Sequence, residues 1–73
     1  MSVILYSQET CAPCRTIKYF FNKAGIDYIE KDMEANLTEA SQYTTMLNPP
    51  LTVIDGRPVH GANIALLKEL LDF

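Results

Sequence analysis

Val3-Ile4-Leu5-Tyr6-Ser7-Gln8-Glu9-Thr10-Cys11-Ala12-Pro13-Cys14 is the stretch on which the fold turns. Its first four residues form an uninterrupted apolar run, the pattern of a strand covered on both faces. Polar residues follow, and a pair of cysteines two residues apart then opens an amphipathic segment. In that segment Ile17, Phe20, Phe21 and Ala24 recur at helical spacing and make one apolar stripe, with Arg15, Lys18, Asn22 and Lys23 off it. The pattern predicts a helix over Ala12–Ala24, stopped by Gly25. The cysteine pair therefore sits where a strand meets a helix start. Unpaired backbone N–H groups and the positive end of the helix dipole point at Cys11 there. Such surroundings lower a thiol pKa and make a thiolate nucleophile.

Working outward, Ile26–Asp32 mixes apolar and charged positions, as a strand at a sheet edge does. Asn36 and Glu39 have capping-box spacing, which predicts a second helix from there to about Met46, with Ala40, Tyr43 and Leu47 inward. Asn48-Pro49-Pro50 breaks the chain before a third strand, Leu51–Ile54. Asp55-Gly56 is a two-residue hairpin signal, and Arg57–His60 is the returning strand, marked as an edge by Pro58. Gly61-Ala62-Asn63 leads into a last helix capped by Asn63, with Ile64, Leu67, Leu70 and Leu71 as its buried stripe. The order is βαβαββα: an α/β fold with a four-stranded mixed sheet flanked by three helices. Its first βαβ unit is parallel and right-handed.

The length allows one domain, 1–73, and so small a core requires efficient burial. Hydrophobic residues make up 48% of the chain, which is enough to supply that core. The net charge of −3 argues against general affinity for nucleic acid or anionic membranes. No signal peptide or membrane span is visible, so a reducing cytoplasm is the expected compartment. A monomer is the expected state. In that compartment a disulfide is catalytic or transient more often than structural. A structural staple is the competing reading, but so small a loop stabilises little. Half of a zinc site is another; zinc takes four ligands, and the chain has one His and two Cys. His60 reads first as an edge-strand residue, although its place before Gly61 leaves a contact role open. Arg15, Lys18 and Lys23 read as a solvated helix face, and Tyr6 as packing at a strand end.

The whole chain resembles the thioredoxin superfamily, and in length and detail the glutaredoxins and the NrdH-type redoxins. The residues that carry the likeness are Tyr6-Ser7 leading to Cys11-Ala12-Pro13-Cys14, then Lys23-Ala24-Gly25-Ile26-Asp27-Tyr28. Pro50-Leu51-Thr52-Val53-Ile54-Asp55-Gly56 and Gly61-Ala62-Asn63 complete it. The resemblance implies a minimal thioredoxin fold and a cis bond between Pro49 and Pro50, with Pro50 facing the sulfurs. It implies a dithiol thiol–disulfide oxidoreductase with no bound cofactor. Position suggests the roles: Cys11, at the helix tip, attacks a protein disulfide, and Cys14, closer to the apolar stripe, resolves the mixed disulfide. No residue near the pair stands out as a base for Cys14. The groove residues expected to meet substrate are Gln8, Ala12, Pro13, Pro49, Pro50, Gly61, Ala62 and Asn63.

Three of those positions depart from glutaredoxins. Gln8 stands where they usually place a Lys that meets a glutathione carboxylate. Pro49 stands where they place a Val whose N–H pairs with the glutathione backbone. Ala62-Asn63 stands where they often carry Cys-Asp, so the Asp that meets the glutathione amino group is missing. Each change weakens glutathione recognition. The Ala-Pro between the cysteines resembles the Gly-Pro of the reducing thioredoxins. The expectation is therefore a carrier that takes electrons from NADPH through a thioredoxin-reductase-like flavoenzyme, with ribonucleotide reductase as a client. A glutathione-dependent glutaredoxin is the alternative. Less favoured are a peptide-binding module of the same fold and a subunit sharing a metal or iron–sulfur cluster through Cys11.

Overall fold

β1 (Val3–Ser7) is the strand on which the molecule is assembled, and a computed structural model describes it within residues 1–72. Its neighbours are β2 (Ile29–Asp32), parallel, and β3 (Leu51–Ile54), antiparallel; β4 (Arg57–His60) pairs outside β3. The sheet order is β2-β1-β3-β4, a minimal thioredoxin fold with helices α1 (Ala12–Ala24), α2 (Leu37–Ala40) and α3 (Ile64–Leu70).

The apolar run of β1 is buried on both faces, as its composition requires. Val3 and Leu5 join Ile54 and Val59 under α1 and α3, where Ile17, Phe21 and Leu67 complete the first core cluster. Tyr6 points the other way and packs with Leu51, Val53, Met33 and Ala40 on the α2 side, where Ile4 also lies. α1 follows the stripe read from the sequence. Gly25 ends it at φ 69°, a left-handed conformation that costs glycine little. The hairpin joins Ile54 to Arg57 through Asp55 and Gly56, at φ 48° and 84°. Positive φ at both central residues is what a tight hairpin turn demands.

Two elements differ from expectation. β2 pairs with β1 only over Ile29–Asp32, not from Ile26. The Ile26 N–H is already used by the Phe21 carbonyl at 2.9 Å, so the chain leaves α1 there and reaches the sheet later. The second helix is short: a 3-10 turn over Glu34–Asn36 and one turn of α-helix over Leu37–Ala40, followed by turns rather than helix to Met46. Asn36 makes no side-chain cap; its Nδ2 donates to the Asp32 carbonyl at 2.8 Å, and Asp32 Oδ2 accepts the Ala35 N–H at 3.0 Å. Glu39, the other half of the expected capping box, is drawn away to Lys31 and Tyr6. Beyond Ala40, the Ser41 hydroxyl donates to the Thr38 carbonyl at 2.7 Å. The β-branched pair Thr44-Thr45 is a poor continuation of a helix. Tyr43 and Leu47 still pack inward, as read, but from irregular chain.

Candidate active site

The loop from Gln8 to Thr10 carries the chain from the end of β1 to the tip of α1. The Gln8 carbonyl accepts the Cys11 N–H at 3.3 Å. Cys11 is the N-cap, in extended conformation at φ −94° and ψ 107°, and its Sγ accepts the Cys14 N–H at 3.1 Å. A helix N-terminus leaves such donors unpaired, so here one is matched to a sulfur. Ala12 and Pro13 open the helix, and Pro13 has no N–H to leave unsatisfied there. Cys11 and Cys14 form a disulfide with Cα atoms 5.2 Å apart. Cys11 is half-buried, whereas Cys14 is fully enclosed.

The second half of the site comes from the other end of the chain. The Pro49–Pro50 bond is cis, as the resemblance implied. Pro50 is buried, and its carbonyl accepts the Gly61 N–H at 3.0 Å. The β1–β3 register ends with Tyr6 opposite Leu51, so Pro50 falls beside Ser7, at the edge from which the Cys11 loop departs. Ala62 is exposed, and Asn63 caps α3 by accepting the Leu66 N–H at 3.2 Å. Gln8 and the two cysteines thus share one hydrogen-bonded unit, with Ala12 and Pro13 between the cysteines. Pro50 and Gly61 form a second at the same end of the sheet, and Ala62 and Asn63 follow Gly61 into α3. Among the described residues, no group of three or more His, Cys, Asp or Glu is placed to hold a metal ion. Among the described residues, no helix is long and apolar enough to cross a membrane.

Two side-chain clusters escaped the sequence. Ser7 Oγ, buried at the end of β1, donates to Glu30 Oε2 at 2.6 Å, and Lys18 Nζ reaches the same oxygen at 3.0 Å. Lys18 lies one helical turn beyond Cys14, so it belongs to this cluster and not to a free solvated face. The Ser7 hydrogen bond, then Lys18, hold the Glu30 carboxyl below its ordinary pKa against the opposing effect of burial. An open pocket of about 400 Å³ between Gln8, Glu9, Lys18, Glu30 and Asp32 lies beside this cluster. On the opposite face Tyr6 does more than pack: its hydroxyl donates to Glu39 Oε2 at 2.6 Å, and Lys31 Nζ contacts both Glu39 oxygens at 2.9 and 2.7 Å. Lys31, then Tyr6, lower the Glu39 pKa; burial, then the Glu39 contact, raise that of Tyr6. Only the alternation of β1 and β2 hints at these groupings, because their members lie far apart in sequence.

No family model matches the chain. It is 34% identical over 76 aligned residues to the gene 56 protein of Mycobacterium phage L5, covering 97% of this chain and 73% of that protein. Among solved structures, the thioredoxin-like protein BC3987 superposes with a TM-score of 0.79 at 28% identity, over 94% of this chain and 99% of that one. The glutaredoxin from Methanosarcina mazei Go1 superposes with a TM-score of 0.86 over 99% of this chain and 79% of that one; at 22% identity the likeness is one of fold. With its strand-to-helix disulfide and cis-proline, the chain belongs to the family of the mycobacteriophage L5 gene 56 protein and is thioredoxin-like, with the fold of the glutaredoxins.

Proposed function

We propose that the protein is a dithiol carrier that reduces protein disulfides. The observation that carries this reading is the Cys14 N–H donating to Cys11 Sγ at the tip of α1. When the pair is reduced, that donor and the helix dipole favour the Cys11 thiolate. The thiolate attacks one sulfur of a substrate disulfide. A Cys11–substrate disulfide forms, and the other substrate sulfur leaves as a thiolate that takes up a proton. Cys14 then loses its proton and attacks Cys11 Sγ, releasing the second substrate thiolate and closing the Cys11–Cys14 disulfide. Two electrons pass from the pair to the substrate. Gln8, Ala12 and Pro13 line one side of the groove in this reading, and Pro49, Pro50, Gly61, Ala62 and Asn63 the other.

The electron source in this reading is NADPH through a thioredoxin-reductase-like flavoenzyme, and ribonucleotide reductase is the client implied by the likeness to the NrdH-type redoxins. Pro49 supports the first point. It directly precedes cis-Pro50 and has no N–H to offer a glutathione backbone. Loss of one such bond costs about 0.5–1.5 kcal/mol. Gln8 and Asn63 add no charge for the glutathione carboxylate or ammonium.

The deciding assay supplies NADPH with thioredoxin reductase in one arm, and glutathione with its reductase in the other. Fast reduction of the Cys11–Cys14 disulfide in the first arm and slow reduction in the second are expected. The reverse pattern makes the protein a glutathione-dependent glutaredoxin.

A further inference from the structure

Between α2 and β3 the chain runs through turns and irregular segments, yet it is fastened at three points. Tyr43 and Leu47 are half-buried and pack against the second core cluster. Thr44 Oγ1 lies 2.8 Å from His60 Nε2, at the end of β4, and accepts the Met46 N–H at 3.1 Å. Between these anchors Met46 remains 57% exposed. A single exposed apolar residue needs no explanation by itself. Here the residues on both sides are anchored, and the Met46 N–H is itself bonded to the Thr44 hydroxyl. Its place is also specific. His60 lies opposite Leu51 and directly precedes Gly61, whose N–H binds the Pro50 carbonyl. The clip therefore ties Met46 to the strand ends that carry the Pro50–Gly61 half of the site.

We propose that Met46, held outward by the Thr44–His60 clip, is a specificity-determining residue that receives an apolar side chain beside the disulfide of a protein substrate. The proposal rests on the protein-disulfide reading above. A methionine suits this task because its unbranched, polarizable side chain adapts to differently shaped apolar partners. Thr44 and His60 act as positioning residues: they touch no reacting atom and act through Met46.

The test uses two short synthetic peptides, each closed by one disulfide and identical except for Leu or Ser next to one cysteine. Reduced protein is mixed with each peptide over a concentration series and quenched with iodoacetamide within a single turnover, so no electron donor enters. The half-saturation concentration for the Leu peptide is expected to lie about five- to tenfold below that for the Ser peptide, the order set by partial burial of one aliphatic side chain. Met46→Ser should erase that preference. Thr44→Val should weaken it and Thr44→Ser restore it, with the change falling on half-saturation and not on the maximal rate. Reduction of both peptides with equal half-saturation overturns this proposal alone. A preference that survives in Met46→Ser, or an effect confined to the maximal rate, overturns it too. Failure to reduce either peptide overturns the protein-disulfide reading beneath it.

Discussion

Replacing Thr52 by Val should make this protein more stable. Thr52 lies in β3 between Leu5 of β1 and Val59 of β4, fully buried, and its Oγ1 has no hydrogen-bond partner. A buried hydroxyl left unpaired costs about 1–3 kcal/mol. Valine keeps the branched outline, exchanges the oxygen for a methyl group that fits the apolar row, and is at least as good a strand former. The lower half of that range gives a gain of about 1–2 kcal/mol. For a domain of this size each kcal/mol moves Tm by about 4–8 °C, so an increase of about 5–15 °C is expected. Urea unfolding of the oxidised protein measures it, with a raised midpoint and an unchanged slope. A variant less stable than the parent would show that the hydroxyl is bonded after all and refute the reasoning. A variant that is more stable but slower in disulfide exchange would show that the hydroxyl has a part in the chemistry.

Cys14→Ser should accumulate a mixed disulfide between Cys11 and substrate, visible by mass spectrometry; Cys11→Ser should lose disulfide reduction, and normal turnover by that variant would reverse the assignment of roles. In the reduced protein Cys11 should titrate below the ordinary thiol range because of the Cys14 N–H and the helix tip. Iodoacetamide rates against pH report it, and a single inflection at the free-thiol value would contradict it. Gln8→Lys and Pro49→Val should each speed reduction by glutathione, the second by about two- to tenfold if one backbone bond is regained; coupled oxidation of NADPH by glutathione reductase measures both. Glu30 and Glu39 are held below the ordinary carboxylate value of 4.5 in the folded state, so their stabilisation is present above that pH and is lost as pH falls through their folded values. Tm measured between pH 6 and about pH 3 should fall less steeply in Ser7→Ala and Lys31→Met than in the parent; equal slopes would remove these pairs from the acid limb.

The strand–Cys-x-x-Cys–helix unit, the Asp55-Gly56 hairpin and the Asn63 cap were legible because each is encoded by neighbours in sequence. Burial alternation, helical spacing and turn chemistry act over a few residues, and no distant contact opposes them at these places. The same holds for Cys11 as N-cap: a thiol at that position meets the Cys14 N–H by helix geometry alone. The second helix is shorter than its spacing predicts for the opposite reason. Asn36 and Glu39 have the right spacing for a capping box, but Glu39 gains more from Lys31 on β2 and Tyr6 on β1 than from a local N–H. A capping box offers the carboxylate one neutral N–H, whereas here it meets a full positive charge on Lys31 and a second donor on Tyr6, so the tertiary partners win.

The sequence by itself therefore determined the order of elements and the dithiol chemistry that Cys11 and Cys14 place at a helix tip. Tertiary structure decided what surrounds that chemistry: the Ser7–Glu30–Lys18 cluster, the joining of Pro50 to Gly61, and the clip that leaves Met46 outward. These contacts span 11 residues between Pro50 and Gly61, 16 between Thr44 and His60 and 23 between Ser7 and Glu30. No local propensity reaches that far. They exist only because the parallel and antiparallel registers of β1 bring β2 and β3 to its two sides at fixed heights.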